Sequence, residues 1–224
     1  MVWYRKYKSF NLFFAFIILA YFLSLFYFQS YIVVTKPLIV ASLIGFYIAT
    51  VPVQNNVFLL GLIFAMLGDI SLMFDGELFF TLGLASFLIM QWCYVFVFRS
   101  DVKAPQRSAY MFIGILTIFS AVILWILWPH AGNMKPHIVL YIISIFSMTI
   151  MALLRKPQSN ISYNFVFWGA VLFMVSDTLL AYNKFVAPIP AASFFVMITY
   201  IAAQYGIVRG IVEASSLSQK PATK

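Results

Sequence analysis

The chain has 224 residues, of which 64% are hydrophobic and 9% charged, against roughly 25% charged in a typical soluble domain. So few polar groups cannot cover a soluble fold, and the chain is expected to be integral to a membrane, one domain over residues 1–224. The net charge of +8 comes from basic residues scattered between apolar stretches, with no basic stripe, which argues against a nucleic-acid partner. Cys93 is the only cysteine, so no internal disulfide can form.

Eight apolar segments predict an all-α, polytopic transmembrane bundle: Asn11–Phe28, Pro37–Val53, Val57–Phe74, Leu78–Phe98, Ala109–Trp128, Ile138–Leu154, Phe165–Tyr182 and Ala191–Val208. Each is near the ~20 residues a helix needs to cross hydrocarbon, and the shorter ones can span a thin bilayer or rely on snorkelling flanks. The breaks carry turn residues or charge: Lys36-Pro37, Gln54-Asn55-Asn56, Asp75-Gly76-Glu77, Ser100 to Ser108, Pro129 to Pro136, Arg155-Lys156-Pro157 and Ala187-Pro188-Ile189-Pro190. Connections this short imply that consecutive helices run antiparallel.

Lysine and arginine set the expected orientation. With a cytoplasmic N-terminus, the inner side holds Arg5, Lys6, Lys8, Arg99, Lys103, Arg107, Arg155, Lys156, Arg209, Lys220 and Lys224, leaving Lys36, Lys135 and Lys184 outside. The positive-inside rule therefore predicts both termini in the cytoplasm and an even number of spans. The first segment has a basic flank like a signal peptide, but no small-x-small site follows it, so it is expected to stay as an anchor.

Two acidic residues lie inside these segments. Asp69 sits in G-L-I-F-A-M-L-G-D-I-S-L-M-F (Gly61 to Phe74) and Asp177 in G-A-V-L-F-M-V-S-D-T-L-L-A-Y (Gly169 to Tyr182), an offset of 108 residues. The likeness is either chance composition or the mark of a repeat, which would be parallel, four helices plus four. A carboxylate in hydrocarbon costs several kcal/mol unless paired, hydrated or protonated, so it is rarely there without a use. Each Asp lies five residues before the outer end of its segment, about 7–8 Å at ~1.5 Å per residue. Equal depth allows the two carboxyls to face a shared cavity. Close carboxyls cannot both ionise cheaply and tend to share a proton, giving one acid and one base, which suits hydrolysis. The same residues can instead be structural or relay protons in a transporter. Gly68 and Ser176, just before the Asps, are small enough for close helix approach.

Other polar groups gather on the expected outer side: Lys36 at the start of helix two, Tyr141 near the start of helix six, and Asn183-Lys184 after helix seven. Lys36 and Lys184 suit either a lipid phosphate or plain interfacial snorkelling. Gln91, Tyr94, Tyr200 and Gln204 fall deeper and are expected to satisfy one another between helices. By rise along the helices, Gln91 is placed about 12 Å below the Asps. His130 and His137 make a poor zinc site and read as interfacial loop residues, no Ser-His pair is spaced for acyl transfer, and no metal or organic cofactor is implied. Aromatic residues read as lipid-facing and belt positions.

T-K-P-L (Thr35 to Leu38), L-G-D-I-S-L (Leu67 to Leu72), F-x-x-G-L-x-x-F (Phe80 to Phe87), G-A-V-L-F-M-V-S-D-T-L-L-A-Y-N-K-F (Gly169 to Phe185) and Y-x-x-A-Q (Tyr200 to Gln204) together resemble the YhhN-like lysoplasmalogenase family. The resemblance implies a multi-pass protein that hydrolyses the vinyl ether bond of lysoplasmalogens, with the family's two catalytic aspartates falling on Asp69 and Asp177. It also implies a lysophospholipid substrate and a fatty aldehyde product. The family commonly has His where this chain has Gln91, for which a supporting hydrogen-bond role is expected.

Three other readings compete. A proton-coupled transporter or lipid permease would use the Asps as a relay and move its substrate uncleaved. A lysophospholipid hydrolase acting on an ester bond would release fatty acid. An intramembrane aspartyl protease is disfavoured, because Met66 and Val175 break its Y-D and G-x-G-D motifs and the Asps are four helices apart. The membrane is expected to be the bacterial inner membrane or, in a eukaryote, the endoplasmic reticulum.

Overall fold

The computed structural model describes residues 7–100, 102, 107–155 and 159–218. Among these are eight α-helices: α1 Lys8–Phe26, α2 Ile32–Thr50, α3 Asn56–Ser71, α4 Glu77–Arg99, α5 Arg107–Leu127, α6 Lys135–Leu154, α7 Asn160–Phe185 and α8 Ala192–Ser218. Seven are long and apolar enough to cross a membrane, and α3 is the shorter one. Their number and apolar character make the chain an integral, multi-pass membrane protein of all-α class. Arg5, Lys6, Lys103, Lys156, Lys220 and Lys224, used above for orientation, lie outside the described residues.

The chain forms two compact units, Met1–Met90 and Gln91–Lys224, with the boundary inside α4. In the first, α2 packs on α1 and on α3. Phe10 stacks on Phe46 at 4.0 Å between ring centroids, and the Ser24 and Thr35 hydroxyls bond across α1 and α2 at 2.7 Å. The turn predicted at Gln54-Asn55-Asn56 is a helix cap. Asn55 Oδ1 accepts from the N–H groups of Val57 and Phe58, while its own N–H donates to the Tyr47 hydroxyl at 2.8 Å. These bonds satisfy donors that a helix start leaves without intrahelical partners.

In the second unit, α7 lies along α8, and glycines set the spacing. A Cβ at Gly169 would meet the Ala203 carbonyl at 2.9 Å, one at Gly206 the Phe165 carbonyl at 3.0 Å, and one at Gly210 the Ser162 carbonyl at 2.8 Å. Gly206 and Gly210 are four apart, so they share a face of α8 and admit the α7 backbone, the usual small-residue device for joining helices in lipid. Ser159 caps α7 by accepting from the Ser162 N–H at 3.0 Å, and Ser162 donates to the Gly210 carbonyl at 2.7 Å.

Several helix ends differ from the apolar segments. Helix α2 starts at Ile32 with Pro37 inside it, not at Lys36-Pro37. Proline removes one N–H bond but keeps a helical φ, so a helix can pass through it. Helix α3 stops at Ser71, three residues short of Phe74, where Leu72 N–H bonds back to the Gly68 carbonyl and Met73 N–H to that of Ile70. Helix α7 starts five residues before Phe165 and ends three after Tyr182, and α8 runs ten beyond Val208. Hydropathy marks only the part of a helix that suits hydrocarbon; backbone bonding continues into polar sequence. As a result Arg209 is not a loop residue but a buried member of α8, with Nη1 3.6 Å from Glu213, and Arg155 is buried against the Ser162 hydroxyl at 3.2 Å.

Candidate active site

In the first unit, Asp69 sits on α3 with only 2% of its surface exposed. Lys36 reaches it from α2, with Nζ 4.0 Å from Oδ1 and a side chain 11% exposed. Because α2 begins at Ile32, Lys36 lies in its second turn, inside the helix, where the ammonium meets a carboxylate. Tyr21 of α1, also buried, is within electrostatic reach of Asp69. Next to the Asp, Gly68 leaves no room for a side chain: a Cβ there would sit 2.9 Å from the Phe87 ring on α4. This close contact anchors α3 where its carboxyl is presented.

In the second unit, Asp177 is half-buried on α7. Two donors from different helices converge on its Oδ2: the Tyr141 hydroxyl from α6 at 2.6 Å and the Gln91 Nε2 amide from α4 at 3.4 Å. Gln91 is fully buried, and its Oε1 has no hydrogen-bond partner among the described residues. The neighbouring Ser176 is buried and donates to the Val196 carbonyl of α8 at 2.9 Å. Tyr94 donates to Gln204 at 2.9 Å, and Tyr200 packs its ring on Phe173. Asn183 accepts from the Ile189 N–H at 2.8 Å and so holds the α7–α8 turn, while Lys184 is exposed beside it. His130 and His137 are both exposed.

Two sequence expectations need correction. Asp69 and Asp177 are not equally placed on their helices: Asp69 is two residues before the end of α3 and Asp177 eight before the end of α7. Gln91 is not about 12 Å below its carboxyl but bonded to it. Helix α7 continues three residues past the apolar segment, ~4.5 Å at ~1.5 Å per residue, so counting from the hydropathy edge misjudges where Asp177 lies along its helix relative to Gln91. Nothing in the sequence marks the Lys36–Asp69 pair, because a lysine at the edge of an apolar run suits a headgroup phosphate or interfacial snorkelling equally well. Tyr21 carries no sequence signal, being one aromatic among many in an apolar helix.

These features define a polytopic helical membrane protein with two carboxyls on apolar helices, one beside an ammonium and one accepting from a hydroxyl and an amide. The sequence model of the YhhN family matches residues 31–211, and the chain belongs to that family. Among curated relatives, it is 28% identical over 142 residues to lysoplasmalogenase TMEM86B of Sus scrofa, covering 63% of this chain and 55% of the relative. It is 28% identical to lysoplasmalogenase TMEM86A of Bos taurus over 173 residues, 75% of this chain and 70% of that one. The lysoplasmalogenase of Mycobacterium tuberculosis is 27% identical over 138 residues, 58% of this chain and 50% of that one. The chain thus spans between half and seven tenths of the length of these relatives. No solved structure matches it.

Proposed function

We propose that the chain is a lysoplasmalogenase, a hydrolase that cleaves the vinyl ether bond of a lysophospholipid to a fatty aldehyde and a glycerophosphoethanolamine or -choline. The observation that carries this reading is the carboxyl of Asp177, held on a membrane helix by Tyr141 and Gln91. It occurs in a chain of the YhhN family whose curated relatives bear that name.

The chemistry needs an acid and a base. A protonated Asp gives its proton to the β-carbon of the alkenyl ether, and the double-bond electrons leave an oxocarbenium ion. The other Asp, as carboxylate, stabilises that cation and takes a proton from an attacking water. The resulting hemiacetal loses its hydroxyl proton as the bond to the glycerol oxygen breaks and that oxygen is protonated, leaving aldehyde and glycerol hydroxyl. These steps call for no metal or organic cofactor. Gln91 Oε1, buried and without a partner among the described residues, offers an acceptor to a water or substrate hydroxyl. Lys184, exposed beside Asn183, is the cation suited to the lipid phosphate.

The charge pattern supports both termini in the cytoplasm, of a bacterial inner membrane or of an endoplasmic reticulum. The test of the substrate is product analysis with detergent-purified protein on alkenyl and ester-linked lysophospholipids. Aldehyde from the alkenyl lipid alone is expected. Fatty acid from the ester would make the protein an ester hydrolase, and transport without cleavage would make it a permease.

A further inference from the structure

Gln91 uses one end of its amide and leaves the other without a partner. Its Nε2 donates to Asp177 Oδ2 at 3.4 Å, while Oε1 meets no donor among the described residues, although the residue is fully buried. A carbonyl oxygen sealed from water without a donor carries the full cost of its desolvation, so such atoms are rare in folded proteins. The donors around it are committed. The one proton of the Tyr141 hydroxyl goes to Asp177 at 2.6 Å, although that hydroxyl is also within reach of the Gln91 side chain. On the same helix as Gln91, Trp92 Nε1 donates to Ser144 at 3.0 Å and the Tyr94 hydroxyl to Gln204 at 2.9 Å. Gln91, Tyr141 and Asp177 all belong to the second unit, and Asp177 is only half-buried, which gives a bound molecule a way to the cluster. At 3.4 Å the amide contact is loose, so the acceptor can turn toward an arriving hydroxyl while Nε2 stays against the carboxyl.

We infer that Gln91 Oε1 is the acceptor for the sn-2 hydroxyl of the lysophospholipid glycerol, which makes Gln91 a determinant of specificity for the lyso form. The inference rests on the hydrolase reading above and names how its substrate is recognised. In such a lipid the sn-2 hydroxyl is the one O–H of the glycerol backbone. It sits on the carbon next to the one that carries the ether oxygen. A bond from that hydroxyl to Oε1 therefore sets the vinyl ether beside Asp177, which the other end of the same amide holds. One planar group registers the substrate against the carboxyl. An acyl group at sn-2 removes the O–H and leaves Oε1 buried and unpaired, and a site built around a substrate hydroxyl rejects analogues that lack it. A water can also donate to Oε1, and the lipid hydroxyl displaces it with the bond kept.

Two measurements on the full-length protein in detergent test this. The first is aldehyde release from an alkenyl lysophospholipid and from its 2-deoxy analogue, identical in chain and headgroup, by wild type, Gln91→Leu, Gln91→Met and Gln91→His. Wild type is expected to prefer the hydroxyl lipid by about 10-fold in kcat/KM, chiefly through KM. In Gln91→Leu, and in Gln91→Met with its longer unbranched side chain, that preference is expected to fall to about twofold or less. Gln91→His, whose ring offers a donor and an acceptor, is expected to restore it. A loss that strikes both lipids alike reports the bond to Asp177. The second measurement is binding of the saturated ether pair, with and without the hydroxyl, which has no vinyl ether to cleave. The same preference, and the same loss in Gln91→Leu and Gln91→Met, is expected in Kd. A preference that survives in both variants, or a wild type that treats the two lipids alike, overturns the assignment; the second result leaves water as the donor to Oε1. Absence of aldehyde from folded wild type removes the hydrolase reading, and the saturated pair then decides the hydroxyl site separately.

Discussion

The Tyr141 hydroxyl donates to Asp177 Oδ2 over 2.6 Å, tying α6 to the carboxyl of α7 at a point where Gln91 of α4 also arrives, at 3.4 Å. Side chains from α4, α6 and α7 thus meet at one oxygen atom. The two bonds differ in length, and so they should differ in weight.

Removing the shorter bond is expected to hurt more. Tyr141→Phe keeps the ring and its packing but deletes a hydrogen bond to a carboxyl that takes part in the proposed proton transfer, worth ~1.5–3 kcal/mol, or roughly 10- to 100-fold in kcat with little change in KM. Gln91→Leu is expected to cost less, because a 3.4 Å contact is near the limit of a useful hydrogen bond. Gln91→His, which offers a ring N–H, should keep most activity. Steady-state kinetics on the three variants, each checked for folding by circular dichroism, measures this order.

The seam between α7 and α8 gives a stability prediction. At Gly169 an added Cβ would meet the Ala203 carbonyl and Ile207 backbone at 2.9 Å, and backbone cannot move aside cheaply. Gly169→Ala is expected to destabilise the protein by ~1–3 kcal/mol, read as a lower melting temperature in detergent. Gly45, on α2, has nothing within 4 Å of the same position. There Gly45→Ala should be neutral or stabilising by up to ~1 kcal/mol, since alanine is the better helix former.

Lys184 and Lys36 are expected to separate in kinetics. Lys184 is exposed at the end of α7, and Lys184→Glu should raise KM for a phospholipid several-fold with kcat little changed, the pattern of lost ground-state binding. Lys36, paired with Asp69, should act mainly on kcat when its charge is removed.

Much of the fold is legible in the amino-acid sequence. Eight helices could be counted because hydrocarbon demands long apolar runs and the turns between them carry Pro, Gly, Asn or charge. Asp69 and Asp177 stood out because charge in such runs is expensive. What could not be read was which side chains meet. Counting residues from a hydropathy edge misplaced the ends of α3 and α7 and put Gln91 far from the carboxyl it touches, because hydropathy says nothing about how far a helix continues into polar sequence or how it tilts. Lys36, at the edge of an apolar run, suits either a headgroup phosphate or interfacial snorkelling; α2 starts at Ile32, which carries the lysine into the helix and to Asp69. The buried positions of Arg155 and Arg209 were hidden for a similar reason: arginine near the end of an apolar run reads as a solvated flank, whereas packing of α7 on α8 encloses both.

Orientation has its own test. With buried Cys93 replaced by serine, single cysteines at Lys184 and at Arg99 can be labelled in intact cells with a membrane-impermeant maleimide. The positive-inside rule leads to labelling at 184 from outside and at 99 only after permeabilisation; the reverse pattern would invert the topology.

Hydrolysis by the two intramembrane carboxyls can be put to one decisive assay: aldehyde release from an alkenyl lysophospholipid by purified wild type, Asp69→Asn and Asp177→Asn, all shown to be folded. Wild-type turnover with a loss of at least ~100-fold in each variant, the usual scale for acid–base groups, is the expected result. Full activity in either variant, or no aldehyde from the wild type, would contradict it.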